Sequence, residues 1–259
     1  MLKLGWFSTG RGEGSRNLLT TVDNAISRGQ IEAEIQFVFS NREPGEAEGS
    51  DRYIQLVRDL GLDLICYSSR EFRKGWEGDV GQRRIAYDRE VMRRLAGFRP
   101  DLCVLAGYML IAGGEMCNHY TMINLHPAAP DGPEGTWQEV IWKLIEEQAT
   151  HSGVKVHLAT EDLDQGPTIT FCTYPITGQA VDPHWQAAKE RGVQEIKVQE
   201  GEGSPLFKFI RRQGMQRELP LLVETLKALA DGSITIDRTH PLQPWDLTDK
   251  IEEILSQAD

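Results

Sequence analysis

The first 110 residues alternate short apolar runs with longer stretches in which apolar residues recur every three or four positions. A short apolar run indicates a buried strand, and the longer recurrence indicates an amphipathic helix. The pattern predicts strands over residues 2–8, 35–40, 62–67 and 102–106, separated by helices over residues 17–28, 52–60 and 80–97. This alternation predicts an α/β fold with a Rossmann-like, mostly parallel sheet flanked by helices.

The middle of the chain predicts three more strands and another helix. Residues 122–125 predict a fifth strand, and apolar residues at helical spacing predict a helix over 136–148. Residues 154–158 and 168–176 predict two strands joined by a short connection. Because the connection is short, we expect these two strands to form an antiparallel hairpin at the edge of the sheet.

After residue 176 the pattern weakens. We predict a helix over residues 204–232 that is interrupted near Pro220, and a short strand over 234–236. Trp245 is predicted to anchor the chain before a last helix over 247–256. The expected organisation is one α/β domain over residues 1–178 and a C-terminal helical extension over 179–259, packed on the same domain.

Composition narrows the class of protein. A formal charge of −11 argues against a general nucleic-acid partner. No apolar run approaches the roughly 20 residues of a membrane span, and the N-terminus enters a strand directly instead of a signal peptide. The four cysteines lack metal-ligand spacing, and three lie in apolar runs. We therefore expect a cytoplasmic protein with no membrane association, no metal and no disulfide framework.

An amide and an imidazole are predicted to lie side by side at the end of the fifth strand. In Ile123-Asn124-Leu125-His126-Pro127, side chains alternate faces, so Asn124 and His126 point the same way. Pro127 favours extended backbone at His126 and prevents the strand from continuing. For such a pair in isolation, the simpler interpretation is that both side chains only stabilise the junction between strand and loop. The motifs around the pair decide against that interpretation.

A carboxylate follows about forty residues later. Asp164 lies in Leu163-Asp164-Gln165-Gly166-Pro167, a turn that could bring its carboxylate to the imidazole. His157 lies on the alternating strand before this turn. It is either a buried core histidine or a side chain that hydrogen-bonds Asp164 from behind the site.

A glycine-rich loop over residues 9–17 connects the first strand to the first helix. Glycines let backbone amides turn inward, and Ser15 or Asn17 is predicted to cap the helix whose positive end faces the loop. With Arg11 and Arg16 as additional positive charge, the loop is a candidate phosphate site. It matches neither the Walker loop nor the dinucleotide fingerprint. A glycine-rich turn without a ligand is the alternative.

Together these motifs resemble the folate-dependent formyltransferases, most closely the phosphoribosylglycinamide formyltransferases. The resemblance covers residues 2–178 well and 205–235 loosely, and it rests on Pro100 to Met109, Asn124 to Pro127, Val156 to Leu158, and Asp164 to Pro167. It implies a transferase of one-carbon metabolism and purine biosynthesis. Such an enzyme moves a formyl group from the cosubstrate 10-formyltetrahydrofolate to a primary amine, here expected to be a phosphorylated one, glycinamide ribonucleotide.

The resemblance also implies roles for individual residues. The catalytic residues would be Asn124, His126 and Asp164, with His157 behind them. The residues expected at the phosphate are Gly12, Gly14, Ser15, Arg16 and Asn17. The residues expected at the folate are Met109, Leu110, Ile111 and Asp162. The chemistry of these side chains is compatible with formyl transfer. An amide and an imidazole can stabilise an oxyanion. A neighbouring carboxylate orients the imidazole and supports a proton relay.

Three segments depart from the family pattern. The loop over residues 128–135 replaces the family's Ser-Leu-Leu-Pro, the phosphate loop contains an inserted residue, and residues 215–220 have no clear counterpart. Leu110 also stands where the family often has arginine. All three segments concern the expected site of the acceptor amine. The sequence therefore indicates the class of reaction more clearly than it indicates the substrate.

Other functions therefore stay open. One is a formyltransferase for another amine, such as an amino sugar. Another is a 10-formyltetrahydrofolate hydrolase, although strand one begins at Leu2 and no regulatory domain is expected before it. A non-catalytic binding module is disfavoured because all three polar residues are retained. A tRNA formyltransferase is disfavoured by the acidic charge. A homodimer and a mobile lid at residues 128–135 are left open.

Overall fold

A computed structural model describes residues 1–237 and 243–257 of the chain. The chain divides into two compact units. The first contains residues 1–124, 158–166 and 225–235, and the second contains residues 125–157, 167–224 and 236–259.

Parallel strands form the sheet of the first unit. The strands are β1 (Leu2–Ser8), β2 (Ala33–Ser40), β3 (Leu64–Cys66), β4 (Leu102–Leu105) and β5 (Met122–His126). They lie in the order β3-β2-β1-β4-β5, and every pair is parallel, which confirms the predicted fold class. β3 is shorter than predicted because only Leu64 to Cys66 pair with β2. The last two residues of β5 belong to the second unit.

Helices connect these strands and bury their apolar faces. They are α1 (Glu13–Ser27), α2 (Glu48–Asp59), α3 (Ser69–Lys74), α4 (Val80–Arg94) and α5 (Gly114–His119). Aromatic side chains fill part of the core, and the ring centroid of Phe7 lies 5.7 Å from that of Phe37 and 5.4 Å from that of Phe39. The loops that follow β1 and β4 lie at the carboxyl ends of parallel strands, where ligands of such sheets bind.

In the second unit, α6 (Trp137–Glu146) begins with a capping box formed by Thr136 and Glu139. β6 (His151–Leu158) and β7 (Thr168–Pro175) form the predicted antiparallel hairpin. β7 also pairs in parallel with β8 (Trp245–Asp246), so the prediction that the hairpin forms the sheet edge is wrong. Trp245 is 44% exposed, so backbone pairing of β8 with β7, and not a buried indole, attaches the chain at this predicted anchor. A strand of two residues is too short to leave a periodic pattern in the sequence.

The remaining helices follow β7. They are α7 (Asp182–Arg191), α8 (Val193–Gln199), α9 (Pro205–Ala230) and α10 (Thr248–Ser256), with a short 3-10 turn at Gly201–Gly203. The predicted interruption of α9 at Pro220 is wrong. A proline inside a helix costs about 3 kcal/mol, but apolar side chains on both sides of it, including Phe207 and Leu222, are buried and offset that cost.

Residues 234–236 do not form the predicted strand. The Ile234 amide instead donates to the carbonyl of Ala228, 2.9 Å away, so the chain closes the last turn of α9. Gly232 lies between them with φ +78°, a left-handed conformation typical of helix C-termini. Among the residues that the structure describes, no helix is both long enough and apolar enough to cross a bilayer.

Candidate active site

Asn124 and Asp164 meet in the first unit. The Asn124 side-chain amide donates from Nδ2 to Asp164 Oδ1 across 3.2 Å, which joins the end of β5 to the turn after β6. Asp164 is buried and has φ +56°, a left-handed conformation that aspartate tolerates better than most residues. The structure thus brings together two of the three predicted catalytic side chains.

Gly166 fixes the turn that carries Asp164. A Cβ atom at residue 166 would lie 1.7 Å from the carbonyl oxygen of Leu158, so the turn passes closer to the backbone than any other residue type permits. Within the same turn, the Thr160 hydroxyl donates to the carbonyl of Asp162 across 3.0 Å. The conformation around Asp164 is therefore set by close backbone packing.

His126 is buried in the second unit. Its Nε2 lies 2.8 Å from the Pro133 carbonyl oxygen, which can only accept, so Nε2 carries the donated proton. The ring of His157 meets that of His126 nearly edge-on, with centroids 6.2 Å apart and planes at 86°. His157 is also buried, and it packs directly behind the imidazole.

The loop over residues 128–135 is attached at a second point. Lys155 is buried in β6, and its Nζ donates to the carbonyl of Pro130 across 3.3 Å. Neither Lys155 nor the Pro133 carbonyl is predicted from the sequence as part of the site. The available signal is a charged residue between the apolar Val154 and Val156.

The glycine-rich loop ends earlier than predicted. α1 begins at Glu13, its N-cap is Gly12, and no side-chain hydrogen bond caps it. The predicted capping role of Ser15 and Asn17 is wrong, because both lie inside the helix. The first-turn amides of α1, including that of Gly14, still lack partners within the helix and form the positive end that attracts anions.

Glycine is required by packing at some positions of this region and not at others. Gly10 has φ +67°, and a Cβ there would lie 2.6 Å from Tyr53. At Gly107, with φ +70°, a Cβ would lie 2.5 Å from Ser15 Oγ. At Gly12 and Gly14, by contrast, no described atom beyond the adjacent residues and the backbone of α1 lies within 4 Å of where a Cβ would be. The space beside these two predicted phosphate residues is open, and Arg16 is half-buried one position after Ser15.

The two predicted folate segments lie next to each other in the first unit. A Cβ on Gly114, the first residue of α5, would lie 2.6 Å from Glu161 Oε2, so the chain just after residues 109–111 approaches the chain just before Asp162. Met109, Ile111 and Leu163 are 53%, 37% and 46% exposed. Leu110 instead packs against the core, and Asp162 is exposed. Exposed apolar side chains grouped in this way are typical of ligand-binding surfaces.

A buried carboxylate holds the first of these segments. Asp88 accepts a hydrogen bond from the Gly113 amide across 2.7 Å. Burial, the largest influence, raises the pKa of Asp88 to about 6, against the smaller opposing effect of the Gly113 hydrogen bond. Asp88 therefore positions the loop over residues 109–113 through its backbone.

Metal ligands do not cluster in the described part of the chain. Across residues 1–237 and 243–257, no three His, Cys, Asp or Glu side chains could hold a metal ion together. All four cysteines are free thiols; Cys103, Cys117 and Cys172 are buried, and Cys66 is half-buried. Burial raises the pKa of the Cys66 thiol to about 11 and that of Cys172 to about 12, so neither is an activated nucleophile.

Comparison with known protein families matches residues 11–184 to the family described as Formyl transferase. The chain is similar to phosphoribosylglycinamide formyltransferase of Escherichia coli (strain K12), with 30% identity over 168 residues that span 64% of this chain and 70% of that protein. Among solved structures, the fold is similar to that of glycinamide ribonucleotide transformylase 1 from Symbiobacterium toebii, with a TM-score of 0.66 and 21% identity over 94% of this chain and 95% of that one.

The fold is also similar to that of a formyltetrahydrofolate deformylase from Burkholderia mallei. The TM-score is 0.60 at 17% identity, over 91% of this chain and 67% of that one. A transformylase and a deformylase thus both have folds similar to this one.

Proposed function

Because the chain belongs to the formyl transferase family, we propose that it transfers a formyl group from 10-formyltetrahydrofolate to the primary amine of glycinamide ribonucleotide. Phosphoribosylglycinamide formyltransferases among its relatives support this acceptor. The observation that carries the proposal is the 3.2 Å hydrogen bond between Asn124 and Asp164, two side chains that the chemistry requires together.

Three side chains have separate roles in the proposed reaction. The amine nitrogen attacks the formyl carbon, which forms a C–N bond and turns the carbonyl oxygen into an oxyanion. Asn124 and His126 stabilise the oxyanion. Asp164 accepts the proton that leaves the amine, and His126 donates a proton to the departing folate nitrogen as the second C–N bond breaks. The products are the formylated amine and tetrahydrofolate, and no nucleophilic side chain is needed.

The hydrogen bond between Asn124 and Asp164 explains how the amide is oriented. A side-chain amide has two N–H donors, and an ionised carboxylate can only accept. Bonding to Asp164 therefore uses one donor and fixes the plane of the amide, so that the second donor points in a set direction. A donor fixed in this way needs no reorganisation when the oxyanion develops.

We assign the binding site for the phosphate group of the acceptor to the start of α1. The first-turn amides, which have no partners within the helix, and the open space beside Gly12 and Gly14 suit a phosphate that approaches the backbone closely. Arg16 supplies positive charge nearby. Glu13 occupies the first position of α1 and would oppose an anion there, so we expect Glu13→Gln to tighten binding of the phosphorylated acceptor by a few-fold.

The folate is assigned to the exposed apolar side chains Met109, Ile111 and Leu163, with backbone groups near Leu110 and Asp162. A flat pteridine ring would cover this apolar surface, and the backbone polar groups would bind its edge. Recognition through the backbone tolerates Leu110 at a position where related enzymes often have arginine.

Mass spectrometry of the products tests the proposal. The pure protein is incubated with 10-formyltetrahydrofolate, with and without glycinamide ribonucleotide. Formylated ribonucleotide that forms only when both are present is the expected result. Formate released without the amine would instead identify a hydrolase, in keeping with the similarity to a deformylase. Folate binding without either product would contradict the proposed acceptor.

A further inference from the structure

A cavity of about 490 Å³ lies in the second unit beside the start of α6 and the first turns of α9. Its lining combines Trp137, Phe207 and Met215 with the cations Lys208, Arg211 and Arg212. This volume is within the range of small-molecule sites, roughly 300–1,000 Å³. No residue of this lining is assigned a role in the proposed formyl transfer, although Met215 begins the segment 215–220 that departs from the family pattern.

The aromatic part of the lining is ordered by its neighbours. The Arg211 guanidinium lies 4.6 Å from the centroid of the Trp137 ring, and the Phe207 ring centroid lies 5.8 Å from it at an interplanar angle of 55°. Arg211 also pairs with Glu218 across 2.5 Å. The Arg211 guanidinium is therefore held over the indole by a cation–π contact on one side and an ion pair on the other.

Two further cations project from the same face of α9. Lys208 and Arg212 are one helical turn apart and exposed, and neither forms an ion pair among the described residues. Like charges at this spacing repel each other. Glu202 is the acidic residue in the lining, and it leaves the cavity with a positive excess in a chain whose formal charge is −11.

A solvated helix face is the usual explanation of neighbouring cations. Here, however, the cations border a concave surface whose base is aromatic and whose other wall is the exposed Met215. We propose that this cavity binds a small organic anion that stacks a flat ring against Trp137 and Met215 and places a phosphate or carboxylate group between Lys208 and Arg212. The anion would offset the repulsion between the two cations.

Adenosine 5′-monophosphate is a suitable probe, since it combines a flat ring with a phosphate. Calorimetric titration should give saturable binding to the full-length protein, whereas adenosine and inorganic phosphate, which each supply half of the contact, should bind at least about tenfold more weakly. Arg212→Glu should weaken binding of the nucleotide about tenfold, and Trp137→Leu should weaken it severalfold, with thermal melting used to verify that both variants fold.

Matched charge reversals separate this site from general electrostatics and from the glycine-rich loop. Lys189→Glu changes an exposed cation of α7 in the same unit, and Arg16→Glu changes a cation beside the predicted phosphate loop. Both should leave nucleotide binding within about twofold of the original. Equal loss in Lys189→Glu, selective loss in Arg16→Glu, or no binding at all would overturn the proposal. This result does not depend on whether the protein transfers formyl groups.

Discussion

The imidazole of His126 donates a hydrogen bond from Nε2 to the backbone carbonyl of Pro133 across 2.8 Å. Pro133 belongs to the loop over residues 128–135, one of the segments that depart from the family pattern. The Nε2 proton of His126 is thus held by this loop, so the proton donated in the proposed reaction has to come from Nδ1, the other ring nitrogen. The loop sets the orientation of the imidazole as well as bordering it, so changes in the loop will alter the chemistry of His126.

Substitution of Lys155 should loosen the loop over residues 128–135 measurably, without any change to His126 itself. In Lys155→Met the side chain is one atom shorter and stays apolar and unbranched, but it no longer donates to the Pro130 carbonyl. Loss of one such hydrogen bond is worth about 1 kcal/mol, so amide hydrogen exchange within residues 128–135 should accelerate about five- to tenfold. Mass spectrometry of exchanged peptides measures this. The exposed Lys189→Met on α7 should leave exchange unchanged, and protection that is equal in both variants would contradict the assigned role of Lys155.

Removing the proton acceptor should abolish most of the activity while preserving the fold. Asp164→Asn retains an oxygen that can accept from Asn124 but cannot take a proton from the amine. We expect the single-turnover rate of formyl transfer to fall by about 10²–10⁴-fold, with little change in thermal melting. Asp249→Asn, an exposed change in the second unit and outside the loop over residues 128–135, is the control. Transfer by Asp164→Asn at a rate near that of the original protein would refute the assigned role.

Asn124 should act on the transition state more than on substrate binding. Asn124→Ala removes the proposed oxyanion donor, and loss of one such donor costs about 10²–10³ in kcat. Because the ground-state carbonyl interacts weakly with that donor, KM for 10-formyltetrahydrofolate should change only slightly. Steady-state kinetics separates the two parameters. A raised KM with an unchanged kcat would instead assign Asn124 to folate binding.

Gly166 and Gly97 form a matched pair for testing the turn that carries Asp164. A methyl group at residue 166 would overlap the Leu158 carbonyl, whereas no described atom lies within 4 Å of a Cβ at Gly97. Gly166→Ala should therefore destabilise the protein by about 3 kcal/mol or more. Gly97→Ala should change the free energy of unfolding by less than about 0.5 kcal/mol. Urea unfolding of both variants decides whether this close approach is as tight as the structure describes.

The sequence predicts most of the first unit because its signals are local. Each strand from β1 to β5 is an apolar run bounded by polar residues, and α1, α2 and α4 each have a periodic apolar face. The six-residue helices α3 and α5 are too short to show such a face, and the sequence pattern does not predict them. The predicted start of α1 is wrong because glycines such as Gly12 and Gly14 favour loops. Only the three-dimensional structure shows that the chain becomes helical at Glu13.

Elements that depend on distant partners could not be predicted. β8 has two residues and exists because it pairs with Thr170 and Phe171, which lie far before it in the chain. α9 continues through Pro220 because tertiary burial outweighs the local preference. Lys155 lies in an alternating strand that predicts no charged residue in the interior, and its partner is a backbone carbonyl that no side-chain pattern reveals. The pairing of Asn124 with Asp164 is suggested by the family resemblance rather than by the periodic pattern.

Asp88 should give the protein a measurable pH dependence of stability. Its pKa of about 6 in the folded state exceeds the ordinary aspartate value of 3.8, so the native state holds more protons than the unfolded state between these values. Stability from this group is therefore fully present below about pH 4 and decreases as the pH rises through about 6, by at most about 3 kcal/mol at roughly 1.36 kcal/mol per pKa unit.

Asp88→Asn does not titrate, and its amide oxygen can still accept from Gly113. Relative to the original protein, Asp88→Asn should thus gain stability between about pH 4 and pH 7 in urea unfolding, while the exposed Asp63→Asn should not. A difference in stability between Asp88→Asn and the original protein that stays constant across this range would show that the carboxylate is not held in its neutral form by burial.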